Sequence, residues 1–284
     1  MQASLSLCRS LLFVPAANPR AIEKARGLDA DMIVLDLEDS VREEDKPAAR
    51  EAAAAAVAEG FGGRPVAIRV NPATSSHYGA DVVAVRRVPA DYIVLSKTET
   101  PKQAHDAAWL IGRPVMAMIE TPRGVLDAAA IAPATRALIA GTNDLALTLG
   151  LAPGSGRRGL VYALQRIVLA ARAADVAAFD GVYNRLEADA GLEAECEEGR
   201  LFGFDGKTVI HPSQIETVNR AFSPTEEELE AAQALIAAAT GGAERHDGRM
   251  IESLHVAQAR ALLAKARRTG SSGPESLATG GSPP

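Results

Sequence analysis

The chain has 284 residues, 47% of them hydrophobic and 4% aromatic, with a formal net charge of -6 at pH 7. That length fits two small domains or one large α/β barrel. The acidic balance argues against a diffuse nucleic-acid surface, and no apolar run approaches the roughly 20 residues that cross a bilayer. Cys8 and Cys196 are too few and too far apart for a disulfide framework. The opening MQASLSLCRSLLFVPA lacks the apolar core and cleavage site of a signal peptide, so a reducing cytoplasm is the expected setting.

In chain order, short runs bounded by Pro, Gly or charge predict strands. They cover Ser10–Ala16, Met32–Glu38, Pro65–Asn71, Tyr92–Lys97, Pro114–Glu120, Arg136–Thr142, Val176–Tyr183 and Lys207–Pro212. Their apolar character is nearly continuous, as in parallel strands buried on both faces. Ala-rich helical patterns fit between most of them. Asn18 and Pro19 supply an N-cap and a first-turn proline, Pro47–Glu59 stops at Gly60, and Leu160–Ala174 and Ala188–Phe202 follow the same theme. Eight strands alternating with helices spell a (β/α)₈ barrel, with an open doubly wound sheet as the alternative. Two further helices, Pro224–Ala239 and Leu254–Arg267, are separated by the loop GGAERHDGRMIES and form a lid or an oligomer contact. The expected organisation is a barrel over 1–222, a helical lid over 223–268 and a disordered Gly/Ser/Pro-rich tail over 269–284.

In such a barrel the chemistry sits at the carboxyl ends of the strands. Charge collects there: strand two ends in Asp36, Glu38 and Asp39, strand three in Arg69-Val70-Asn71, strand four in Lys97 and strand five in Glu120, strand six runs into Asp144, and strand eight ends in His211. Glu120 and Asp144 are hard oxygen ligands suited to Mg²⁺, which takes one or two protein carboxylates and keeps water or substrate oxygens elsewhere. No clustered Cys or paired His offers a zinc site. Arg69 presents a planar fork for a carboxylate. A divalent cation beside an arginine suits a 2-oxo acid, and carbon–carbon bond making or breaking beside a carbonyl follows. Lys97 reads as an ion-pair partner of these acids rather than a Schiff-base nucleophile.

Gly154–Gly159 spells the G-x-G-x-x-G dinucleotide fingerprint, but no strand precedes it, so it reads as a flexible loop whose Arg157 and Arg158 could meet an anion. His77, His105, His246 and His255 have no partner at metal spacing, and Pro212 after His211 suggests a structural turn. Trp109 fits core or interface packing.

These residues fall in a recognisable series. RSLLFVPAANPRAIEKA, VLDLEDSV with KPAAR, AIRVN, YIVLSKTET, MIETPRGV, GTNDLA, GFDGKTVIHPSQ and GRMIES resemble, in order and over about Ser10–Arg267, the citrate lyase β-subunit-like proteins. These belong to the hydroxy-acid aldolase and CoA-ester lyase superfamily. The resemblance implies a (β/α)₈ barrel with a C-terminal helical lid, assembled as a homotrimer or homohexamer. It implies Mg²⁺ on Glu120 and Asp144, and Arg69 holding the substrate carboxylate. Asp36, Glu38 and Asp39 would stand beside the metal water and substrate. Glu252 of the lid would act as general acid/base over a neighbour's site. Catalysis would then rest on Arg69, Glu252 and Asp36, and substrate binding on Arg69, Glu120, Glu38 and Asp39. The implied reaction cleaves citryl-, citramalyl- or malyl-CoA-like esters into a 2-oxo acid and an acyl-CoA. Alternatives are a metal aldolase working without CoA, a malyl-CoA thioesterase and a non-catalytic paralogue. Three positions depart from the pattern: Asn143 where a glutamate is usual, Asn184-Arg185 where a carboxylate often follows, and Glu252 in place of aspartate.

Overall fold

Alternation along each strand explains how the chain buries two apolar faces at once. In a computed structural model describing residues 5–152, 154–239, 244–246 and 249–269, eight parallel strands close into a barrel in sequential order. They are β1 (Ser10–Pro15), β2 (Met32–Asp36), β3 (Val66–Val70), β4 (Tyr92–Leu95), β5 (Val115–Ile119), β6 (Ala137–Ala140), β7 (Ala177–Asp180) and β8 (Gly206–Val209). Successive side chains point to opposite faces. Leu11, Phe13, Met32, Val34, Met116 and Phe179 therefore fill the interior. Leu12, Val14, Ile33, Leu35 and Ile68 pack outward beneath the helices.

All eight sequence-predicted strands are present, each ending one to three residues earlier than expected. Ala16, Leu37 and Gly141 still donate one backbone bond to the neighbouring strand, and the chain then turns away. Asp36 accepts the Glu38 N–H at 2.9 Å, and Thr142 has already entered the helix Thr142–Thr148. Asp144 thus lies in the first turn of a helix rather than at a strand end. Helices cap as the sequence suggests: Asn18 accepts the Ala21 N–H, and Gly60 follows Lys46–Glu59.

Three expectations change. Gly156–Leu160 is a 3₁₀ turn rather than an irregular loop, and Arg157 is not free for an anion, because it is buried against acids described below. Trp109 on the helix Pro101–Ile111 is 82% exposed, which removes the core reading. The presumed loop between the last two helices carries an antiparallel pair, β9 (Glu244–His246) and β10 (Arg249–Ile251). Three-residue strands are too short to show a period of two in the sequence.

The chain divides into two compact units, 1–222 and 223–284. The second contains the helices Glu226–Ala238 and Ser253–Thr269 with the β9–β10 pair between them. The sequence-predicted disordered tail, beyond Thr269, lies outside the described residues. Among the described residues, no helix is long and apolar enough to cross a membrane.

Candidate active site

The same alternation that fills the barrel also places charge at its mouth. Met32 and Val34 point inward, so Asp36 at the end of β2 does too; Ala67 is followed by Arg69, and Met116 and Met118 by Glu120. Asp36 and Arg69 are direct register partners on adjacent strands. The cavity at this carboxyl end, about 370 Å³, is lined by Asp36, Asp39, Arg69, Glu120 and Asp144, with Phe13, Met118, Thr208 and Ile210 as apolar and hydroxyl neighbours.

Arg69 is held from one side. Its Nε and Nη2 donate to the two Asp36 carboxylate oxygens, both at 2.6 Å, and the guanidinium lies 5.2 Å from the Phe13 ring centre. The side edge of the fork, open on sequence grounds, is therefore occupied by Asp36. Outer Nη edge donors remain, one of them 2.9 Å from Glu38 Oε2. Asp36 also accepts from the Glu38 N–H and from Ser40. Burial would raise the Asp36 carboxyl, but the Arg69 charge outweighs it and holds the carboxyl below its ordinary range.

Lys97 joins the remaining acids. It follows β4 with a left-handed backbone, φ 48°, an unusual conformation for a residue with a side chain. This turn aims its N–H at Glu120 Oε1, 2.6 Å away. Its Nζ reaches Glu38 Oε1 at 2.8 Å and Asp144 Oδ2 at 3.2 Å. The ion-pair reading of Lys97 stands, and the unforeseen contact is its backbone N–H on Glu120. YIVLSKTET offers no signal for it, because the left-handed turn after β4 leaves no mark in the residue types.

Glu120 is 3% exposed, and burial, reinforced by Glu38, pushes its carboxyl up to about 8. Burial also raises Glu38, whose Oε2 has no aligned hydrogen bond despite its nearness to Arg69. Gly141 is required beside Glu120: a Cβ there would lie 2.3 Å from Glu120 Cβ and 2.7 Å from Oε2. The mouth therefore gathers Asp36, Glu38, Asp39, Glu120 and Asp144 against only Arg69 and Lys97. That surplus, and two hard carboxylates in one cavity, fit a divalent cation. Among the described residues, no group of three or more His, Cys, Asp or Glu forms a closed metal cage. A two-carboxylate site that keeps its other positions for water and substrate matches Mg²⁺ rather than zinc.

Six of the seven residues singled out on the sequence thus meet at one barrel mouth. The seventh, Glu252, belongs to the other unit; it is exposed ahead of the last helix, and its N–H donates to His255 Nδ1 at 3.0 Å. His211 makes a local turn with Ser213, as Pro212 suggested. Asn143 and Asn184, both departures from the family pattern, pair through reciprocal amide hydrogen bonds of 3.0 and 2.7 Å.

Known proteins share this architecture. The chain is 42% identical over 269 residues to a (3S)-malyl-CoA thioesterase of Cereibacter sphaeroides strain KD131, covering 91% of this chain and 94% of that one. It is 35% identical to the citrate lyase subunit beta of Leuconostoc mesenteroides subsp. cremoris, covering 85% of each. The crystal structure of the protein CitE from Mycobacterium tuberculosis with magnesium, acetoacetate and coenzyme A superposes with a TM-score of 0.80 at 33% identity. That match covers 93% of this chain and all of the other. A model of the HpcH/HpaI aldolase/citrate lyase family matches residues 9–212, almost the whole barrel. With that span, with these relatives and with the acids collected at its carboxyl end, the chain belongs to the HpcH/HpaI aldolase/citrate lyase family, among its citrate lyase β-like members.

Proposed function

We propose that the chain is a Mg²⁺-dependent carbon–carbon lyase. It would cleave a 3-hydroxyacyl-CoA ester of the citryl-, citramalyl- or malyl-CoA kind into a 2-oxo acid and an acyl-CoA. The observation that carries this reading is the single cavity lined by Glu120, Asp144 and Arg69. Solved M. tuberculosis relatives bound to magnesium with acetoacetate and coenzyme A, or with oxaloacetate, support it. Glu120 and Asp144 would hold the ion, which when bound supplies a Lewis acid beside the oxo-acid oxygens. Arg69 receives the substrate carboxylate on its outer Nη edge, while Asp36 fixes the guanidinium plane. Glu38 and Asp39 flank the substrate from the turn after β2. In cleavage, the carbinol proton leaves, the bonding pair passes to the carbon beside the thioester, and that carbon takes up a proton. Glu252 is assigned as the group that exchanges this proton, supplied by a neighbouring copy in a homotrimer or homohexamer. The proposed setting is the cytoplasm.

Hydrolysis of the same ester is the second reading, favoured by the 42% identity to a malyl-CoA thioesterase. It needs the same anchor for the hydroxy acid but directs water at the thioester carbonyl, releasing the free acid and CoA thiol.

One panel separates the two: citryl-, citramalyl- and malyl-CoA, each with Mg²⁺ or EDTA, assayed for oxo acid and for free thiol. Oxo acid without thiol establishes the lyase, thiol without oxo acid establishes hydrolysis, and turnover of none rejects both. Glu252→Gln is expected to lower turnover by roughly 10²–10⁴, the usual cost of losing a general acid/base, without weakening Mg²⁺ binding. Mixing it with Arg69→Ala should restore activity if copies share a site; no rescue refutes the sharing.

A further inference from the structure

Behind the acidic mouth lies a buried cation with no carboxylate against it. Lys46 opens the helix Lys46–Glu59 and is 3% exposed. A surface lysine would ordinarily keep its ammonium in water. Here Nζ instead donates to Leu37 O at 3.0 Å, Glu38 O at 3.1 Å and Asn71 Oδ1 at 2.9 Å. All three ammonium hydrogens are thereby used, and all on neutral oxygens. Burying a charge without an ionic partner is costly, so the arrangement calls for a compensating role.

The acceptors identify that role. Leu37 and Glu38 form the peptide turn that carries Glu38 and Asp39 into the mouth, and Lys46 grips two consecutive carbonyls of it. The grip is itself braced. Asn71 Nδ2 donates to Leu37 O at 2.9 Å and to Asp81 Oδ2 at 2.7 Å, and Arg50 Nε donates to Asp81 Oδ1 at 2.7 Å. From the opposite side, Asp36 accepts the N–H groups of Glu38 and Ser40. The turn is therefore pinned by its carbonyls to Lys46 and by its amides to Asp36, and only then can Glu38 meet Lys97 and Arg69.

We propose that Lys46 is a positioning residue: from outside the cavity it sets the turn that presents Glu38 and Asp39 to the substrate. This rests on the reading that the reaction takes place in this mouth. A misplacement of about 1 Å can cost on the order of 100-fold in rate. Lys46→Met should accordingly lower kcat by about that factor with a much smaller change in KM, because Arg69 keeps its paired grip on Asp36 and Glu120 keeps the Lys97 N–H. Amide hydrogen exchange should accelerate at Leu37–Val41 while β5 and β6 keep wild-type protection. Lys46→Ala should show the same loss, partly recovered by ethylammonium and not by equal sodium chloride. A fall in KM affinity alone, exchange unchanged at Leu37–Val41, or equal acceleration across the barrel would each overturn the proposal. If the wild type turns over none of the esters, the functional reading has failed instead, and the exchange result alone decides whether Lys46 pins the turn.

Discussion

Two charge clusters each join a pair of adjacent barrel strands, and they differ by one step of strand parity. At the mouth, Asp36 on β2 faces Arg69 on β3; across the barrel, Asp180 on β7 faces Lys207 on β8. Asp36 continues the inward series of Met32 and Val34, whereas Asp180 follows the inward Phe179 and so points out beneath the helices. The outer cluster is closed. Asp180 accepts from Lys207 at 2.9 Å, from Arg157 Nη1 and Nη2 at 3.0 Å each, and from the Gly181 N–H at 2.8 Å. Glu195 and Glu198 complete the pairing of the two cations, and Gly199 packs so closely that a Cβ would lie 2.8 Å from Asp180 Oδ2. Burial alone would raise Asp180, but Lys207 and Arg157 reverse this and hold it below the ordinary range. Glu120, nearly as buried, is pushed up to about 8 by burial and by Glu38, which Lys97 and Arg69 only partly offset. The outer cluster sets three carboxylates against two cations with every carboxylate paired; the mouth sets five against two and has a cavity. Satisfied charge holds a fold together, and unsatisfied charge beside a cavity is where a ligand is recognised.

The sharpest way to break this contrast is to remove a mouth carboxylate. Glu120→Gln or Asp144→Asn should reduce turnover on the order of 1000-fold, matched by EDTA on the wild type, with circular dichroism unchanged. Full activity of either variant would mean that the surplus acids hold no metal. At the outer cluster the effect should fall on stability instead. Asp180→Asn leaves Lys207 and Arg157 buried beside a neutral partner, a loss of about 3–5 kcal/mol in denaturant unfolding, with kcat per folded molecule preserved. Because the Asp180 carboxyl is lowered, its contribution is complete above the ordinary aspartate range and vanishes as pH falls through its folded value. The stability of Asp180→Asn should therefore converge with wild type in acid. Arg69→Lys comes next: it keeps the charge but loses the paired grip on Asp36 and the outer edge for substrate, costing about 2 kcal/mol in oxo-acid affinity by calorimetry. The smallest signal is the absence of one. Cys196 is fully buried beside the outer cluster, and burial pushes its thiol up to about 11. In a Cys8→Ala background it should not react with a disulfide reagent at pH 8 until the protein unfolds.

Much of the mouth was legible because strand ends can be counted. Asp36 and Glu120 each close an apolar run and Arg69 lies one residue before the end of one, and the period of two places all three inside once the barrel is granted. Lys97 was read for its charge but not for its backbone N–H, since a left-handed turn after β4 cannot be seen in YIVLSKTET. Arg157 was misread outright. Its G-x-G-x-x-G neighbourhood looks like a free loop, and only the fold brings Asp180, 23 residues on, against it. The β9–β10 pair escaped because three residues carry no periodicity.

By itself, the sequence determined the number and order of the strands, their parallel character and the acid-rich strand ends, and it favoured a barrel over an open doubly wound sheet. Those properties follow from composition and short-range period, which are local. Partnership was decided only by tertiary structure. It set Asp36 on the side edge of Arg69 and Lys97 among three acids, and it buried Lys46 under the turn that it holds. These contacts join residues on different strands, helices and turns, and strand register together with the path of each turn determines which of them meet.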